Sequence, residues 1–247
     1  MSLNEFLKNE FKKCYVINLK RRPDRYAEFC KRIPFNINQV IRFDAIDGDD
    51  LKHIKANINR YVVGCHLSHK TLLKMIVDDV DIKDSDLFII FEDDVFFTDD
   101  FSLKIQENIK ILKGLKDIDN SLFMLYAGGR FTPSFRPTTQ GKYWTKIDGN
   151  LYLKNTSLSS MIPNVDKERT GHITIMNKLT AKAILEGIKD IPESEAMDEV
   201  YNKIHKLVKD MKIYEIFPHL CYSPQNYKSD IQIGMERKPR YGLKISS

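Results

Sequence analysis

The sequence predicts an α/β protein built on a mostly parallel central sheet. Short apolar runs alternate with stretches of helical periodicity over roughly the first 130 residues, as repeated strand–helix units do. The polar and glycine residues of most chemical interest fall where those runs stop, and in parallel sheets ligands bind beyond the carboxyl ends of the strands.

Asn4–Lys13 reads as a short amphipathic lead-in helix, and Cys14–Leu19 as a buried strand. Pro23 suits the first turn of a helix ending near Arg32. Val40–Gly48 reads as a second strand closing in an acidic turn. Leu67, Leu72, Met75 and Ile76 keep helical spacing within a helix over Gly64–Asp78. Leu87–Phe91 is the next strand, Phe101–Leu115 a helix and Ser121–Tyr126 a strand. Phe131–Asn150, with Pro133, Pro137, Gly141 and Gly149, reads as a long loop. Gly171–Met176 and Met211–Phe217 read as strands, Thr180–Gly187 and Glu195–Val208 as helices. No repeat, low-complexity tract or linker divides the 247 residues, so one domain is expected.

A hydrophobic content of 42% with 30% charged residues is that of a soluble globular protein. No run approaches the ~20 apolar residues that span a bilayer. Met1–Lys13 lacks the apolar stretch of a secretory signal. A cytoplasmic protein is expected, at most peripheral to a membrane. Cys14, Cys30, Cys65 and Cys221 form no CxxC pair and read as reduced structural thiols. The net charge of +5 is spread over scattered lysines. No basic stripe with stacking aromatics accompanies it, which argues against nucleic-acid binding.

The most informative segment is Leu87-Phe88-Ile89-Ile90-Phe91-Glu92-Asp93-Asp94-Val95. Three carboxylates at the end of a buried strand resist desolvation unless something positive neutralises them. Strand alternation sends Glu92 and Asp94 one way and Asp93 the other. Two carboxylates on one edge can hold Mg²⁺ or Mn²⁺, and the same edge can bond a ribose. The bland alternative is an ordinary acidic helix start.

Three further segments carry polar chemistry. Asn18–Arg25 opens a strand into a helix start bearing Arg21, Arg22 and Arg25, suited to phosphates or to an exposed basic turn. Gly64-Cys65-His66-Leu67-Ser68-His69 combines a close-approach glycine with two histidines one turn apart. Lacking a third ligand, it reads as a packed helix start rather than a zinc site. Asp198 and Glu199, early in a helix, could supply a general base or merely favourable helix-start charge.

Taken in order, these segments resemble glycosyltransferase family 25, which includes bacterial lipooligosaccharide galactosyltransferases and procollagen galactosyltransferases. The carrying residues are Tyr15–Arg25, Asp44-Ala45-Ile46-Asp47-Gly48, Gly64–His69 and Ile90–Val95. Weaker matches are Leu125–Gly128, Met197–Glu199 and Ser223–Ile231. The resemblance implies a GT-A-like, Rossmann-type fold, with 14–130 forming the nucleotide-sugar half and 131–247 the acceptor half and tail. It implies a UDP-sugar donor, Mn²⁺ or Mg²⁺, and inverting transfer of a hexose, galactose or glucose, to a hydroxyl of a glycan or glycoprotein. By position, Glu92 and Asp94 would hold the metal and Asp93 would face the ribose. Asn18, Arg22, Arg25, Asp44, Gly64, Ser68, His69 and Gly128 would shape the donor site. Asp198 or Glu199 would be the base. For a third metal ligand the tail offers His219 and Asp230. The competing classes are a metal-dependent phosphohydrolase or nuclease, which needs more converging acids, and a non-catalytic nucleotide-sugar binder.

Overall fold

The computed structural model describes residues 2–55, 57–129, 144–155 and 172–223. Helix α1 (Leu3–Glu10) opens on a capping box, in which Glu5 N–H donates to Ser2 Oγ and Ser2 N–H donates to the Glu5 carboxylate at 2.9 Å. It ends before the predicted Lys13, because Phe11 turns extended and starts β1 (Phe11–Leu19), pairing with Leu87. Helix α2 (Pro23–Arg32) runs between its predicted limits, with Pro23 in the first turn and Lys31 and Arg32 in the last.

Strand β2 (Val40–Ala45) stops short of Gly48. Helix α3 (Arg60–Asp78) begins a turn before the predicted Gly64, since the Asn59 side chain caps the N–H groups of Tyr61 and Val62. Then come β3 (Leu87–Glu92), β4 (Phe96–Phe97), α4 (Phe101–Lys113), β5 (Phe123–Tyr126) and β6 (Gly128–Gly129).

The expected loop over 131–150 is in part a strand. Trp144–Asp148 forms β7 and pairs with β8 (Leu151–Lys154), with Gly149 at φ +49° in the turn between them. The chain continues through β9 (Ile173–Asn177), α5 (Lys178–Gly187), α6 (Met197–Leu207), β10 (Lys212–Ile216) and β11 (Cys221–Tyr222).

Eight strands form one mixed sheet in the order β2-β1-β3-β9-β5-β10-β8-β7. Six point the same way, while β9 and β8 run against them. Side-chain alternation along the strands feeds two cores. Val16, Ile89, Phe91 and Leu125 pack with Phe6, Phe29, Phe101 and Ile105 of α1, α2 and α4. Tyr15, Phe88, Ile90 and Met124 pack with Leu72, Ile184, Val200 and Ile204 of α3, α5 and α6. The result is a helix–sheet–helix sandwich. Every residue of β3 but Glu92 is buried, as a strand covered on both faces requires. A second sheet, β4-β11-β6, lies beyond the ends of β3 and β5. No helix among the described residues is long and apolar enough to cross a membrane.

Candidate active site

A cleft of about 640 Å³ opens where β1, β2 and β3 end. Its apolar part is made by Ile17, Leu19, Ala45, Ile46 and Tyr61. Its polar part is made by Asn18, Arg25, Ser68, His69 and the acids Glu92, Asp93 and Asp94, with Cys65 beside them. The close packing of α3 on the β2 end shapes one wall. A Cβ on Gly64 would stand 2.6 Å from the Ile46 carbonyl oxygen, so only glycine permits that approach. Ser68 Oγ fastens the same contact, accepting from Ile46 N–H at 2.8 Å and donating to Gly64 O at 2.6 Å.

Strand β3 ends at Glu92, and Asp93 and Asp94 belong to the turn that follows. The turn rather than the strand pleat therefore separates the acids. Arg32, from the last turn of α2, holds it: Nη2 donates to Asp93 O at 2.9 Å and Nε to Val95 O at 3.1 Å. The Arg32 guanidinium also lies 4.1 Å above the Phe96 ring.

Asp93 turns toward β1 and α2. Its carboxylate accepts from Asn18 Nδ2 at 2.6 Å and pairs with the Arg25 guanidinium. Burial pushes the Asp93 carboxyl up to about 6, against the lowering charge of Arg25.

Glu92 and Asp94 turn the other way, onto His172, the residue just before β9. His172 Nδ1 lies 2.9 Å from Glu92 Oε2 and 3.1 Å from Asp94 Oδ1. Burial alone would keep the imidazole neutral, but the Asp94 charge and the bonds to both carboxylates raise it to about 10. Burial likewise opposes the charge on Glu92, yet His172, and then His69, hold that carboxyl well below its ordinary range. Asp94, desolvated as well, is held low chiefly by His172. One ligand atom from each of Glu92, Asp94 and His172 falls within 4.8 Å of the others, the one such cluster among the described residues. An ion binding here would displace the proton that His172 Nδ1 now holds against the two acids; two carboxylate oxygens and the imidazole nitrogen so freed form a mixed set for a divalent ion. Asp94 Oδ1 is buried with the His172 imidazole as its neighbour at 3.1 Å, an acceptor such an ion would take over.

The third ligands expected from sequence, His219 and Asp230, belong to the tail. There, His219 Nε2 is 2.6 Å from Glu215 Oε1 and takes no part in the cluster, while Asp230 lies outside the described residues. The usable signal was the histidine immediately before an apolar strand.

Of the other expected donor residues, Asn18, Arg25, Ser68, His69 and Asp93 line the cleft. Arg22 and Asp44 do not: Arg22 bonds Asp24 at 2.7 Å, and exposed Asp44 pairs with Arg42 at 3.4 Å. Gly128 sits behind the cluster, where a Cβ would meet Cys221 Sγ at 2.8 Å and His172 Cβ at 3.4 Å. Asp198 is half-buried in the first turn of α6, near enough for its charge to raise the Cys65 thiol further after burial and Glu92. Glu199 is exposed, and its N–H donates to Asp198 Oδ1 at 2.9 Å.

The family model of glycosyltransferase family 25 (LPS biosynthesis protein) matches residues 11–201. The chain belongs to that family. No curated protein sequence matches it. Among solved structures, a similar chain is the mannose-1-phosphate geranyltransferase of Thermus thermophilus. The two share 12% identity over 85% of this chain and 74% of that one, with a TM-score of 0.40.

Proposed function

We propose that this glycosyltransferase is metal-dependent and inverting, moving a hexose, galactose or glucose, from a UDP-sugar to a hydroxyl of a glycan or glycosylated protein. The observation that carries the reading is the convergence of His172 on Glu92 and Asp94, two acids that line the polar end of the cleft. The apolar end, with Tyr61, suits a nucleobase. A divalent ion held by Glu92, Asp94 and His172 would supply Lewis-acid stabilisation of the departing diphosphate.

The chain's own groups do the rest. Arg25 and Asn18 fix the acid turn through Asp93. A ribose contact by Asp93 has to share a carboxylate already bonded to both. Inversion needs one base to take the proton of the attacking hydroxyl. Asp198 suits that role better than Glu199, because it is half-buried, its charge reaches Cys65 of the cleft lining, and it accepts from the Glu199 N–H.

The test is a screen of UDP-, GDP- and CMP-sugars with Mn²⁺, read by donor hydrolysis and thermal shift. At about 100 times Kd a ligand contributes about 2.7 kcal/mol, or roughly 5–10 °C for a chain of this size. Asp94→Asn is expected to remove both signals. If no UDP-sugar with Mn²⁺ gives hydrolysis or a shift, the proposal fails.

A further inference from the structure

Glu92 lies between two imidazoles. His172 Nδ1 faces Oε2, and on the other side His69 Nε2 is 3.5 Å from Oε1. Behind His69 stands Tyr201 of α6, its hydroxyl 3.3 Å from His69 Nδ1. The two rings meet edge to face at 5.6 Å and 83°. Both side chains are buried, at 2% exposure for His69 and 1% for Tyr201.

A neutral imidazole carries one proton, and the partner of one nitrogen decides which nitrogen holds it. A carboxylate only accepts, whereas a phenol can donate. Burial pushes the Tyr201 hydroxyl well above its ordinary range, so it keeps its proton. With Tyr201 donating to Nδ1, the His69 proton is left on Nε2, facing Glu92. The opposite tautomer would set an Nε2 lone pair against the carboxylate.

We infer that Tyr201 is a positioning residue: it fixes the Nε2–H tautomer of His69, and through His69 it holds the Glu92 carboxylate turned toward Asp94 and His172. The consequence for metal affinity rests on the functional reading above, but the tautomer does not. The arrangement also ties the metal side of the cleft to α6, the helix whose first turn carries Asp198.

Tyr201→Phe removes the hydroxyl and keeps the ring. Long-range ¹H–¹⁵N spectra of wild type and variant, recorded above the range where histidine ordinarily takes a second proton, read the His69 tautomer directly. The Nε2–H form is expected in the wild type and a mixture in the variant. Mn²⁺ affinity, followed by the EPR signal of free Mn²⁺, is expected to weaken about 10-fold, the low end for groups that orient metal ligands. In a His69→Gln background, which has no tautomer to set, Tyr201→Phe is expected to change the affinity no further. An Nδ1–H wild type, or an unchanged tautomer in Tyr201→Phe, overturns the inference, as does the same loss of affinity in both backgrounds. If the wild type binds no Mn²⁺, the metal reading falls, and the tautomer spectra alone decide the role of Tyr201.

Discussion

Arg32 offers the clearest test of how the acid turn is held. Its guanidinium bonds the carbonyls of Asp93 and Val95 and covers the Phe96 ring. A hydrogen bond from a charged donor is worth about 1.5–3 kcal/mol by mutation, and a partly exposed cation–π contact about 0.5–1 kcal/mol. The sum overstates the loss, because water can reach the freed carbonyls of a turn. Arg32→Ala is therefore expected to cost roughly 2–4 kcal/mol in a non-additive network. Arg32→Lys keeps the charge but cannot fork to two carbonyls, so about half the loss should remain. Urea unfolding reads the change as a lower midpoint at unchanged slope. Amide exchange at Val95, whose N–H bonds Glu92 O at 3.3 Å, should speed up in the same variants. If Arg32→Ala lies within about 0.5 kcal/mol of wild type, the turn does not depend on this clamp and the reasoning is wrong.

Arg25→Ala should cost about 3–5 kcal/mol, since it strips a buried carboxylate of its charge partner, whereas Arg22→Ala, whose side chain pairs with exposed Asp24, should cost under about 0.5 kcal/mol. Equal midpoints for the two variants in urea would contradict that contrast. Gly64→Ala should destabilise by about 1–3 kcal/mol, because the new Cβ meets backbone at 2.6 Å from Ile46 O and 3.1 Å from Gly48 N. It should also weaken whatever binds the cleft between α3 and the β2 end, and unchanged stability would refute the close-packing argument. Burial pushes the Cys14 thiol up to about 12 and those of Cys65 and Cys221 well above their ordinary value. Native labelling with a disulfide reagent near pH 8 should therefore find buried Cys14 and Cys221 slower than half-buried Cys30, and equal rates for the three would count against it.

The helices were legible because their ends carry chemistry. Pro23 marks one start and Arg32 the matching end of α2, and a single amphipathic stripe suffices to place each helix on the sheet. The β7–β8 hairpin is missed by the loop reading, although Asp148-Gly149, a dipeptide that favours a tight turn with positive φ, carries its signal. It was hidden by the prolines and glycines upstream, which made the whole segment read as loop. The β2 end shows a different limit. Asn59 caps α3 a turn before Gly64, so the packing residue and the helix start are separate signals.

Strand direction lies beyond what local pattern encodes, and here it decides the site. Ile173–Asn177 is buried throughout, which a covered strand of either polarity allows. Alternation of strands and helices favours parallel neighbours, yet β9 pairs antiparallel with β3, Phe91 opposite Ile173. That pairing sets His172 beside Glu92, whose N–H donates to the His172 carbonyl at 3.0 Å. A parallel β9 would carry His172 to the far edge of the sheet and leave Glu92 and Asp94 without the group that now compensates them. The acid triplet could be read as a charge problem from sequence, but its answer comes from a strand about eighty residues later whose direction no periodicity reports. A polar residue bordering an apolar strand should accordingly be tested in both strand directions before a third ligand is sought elsewhere.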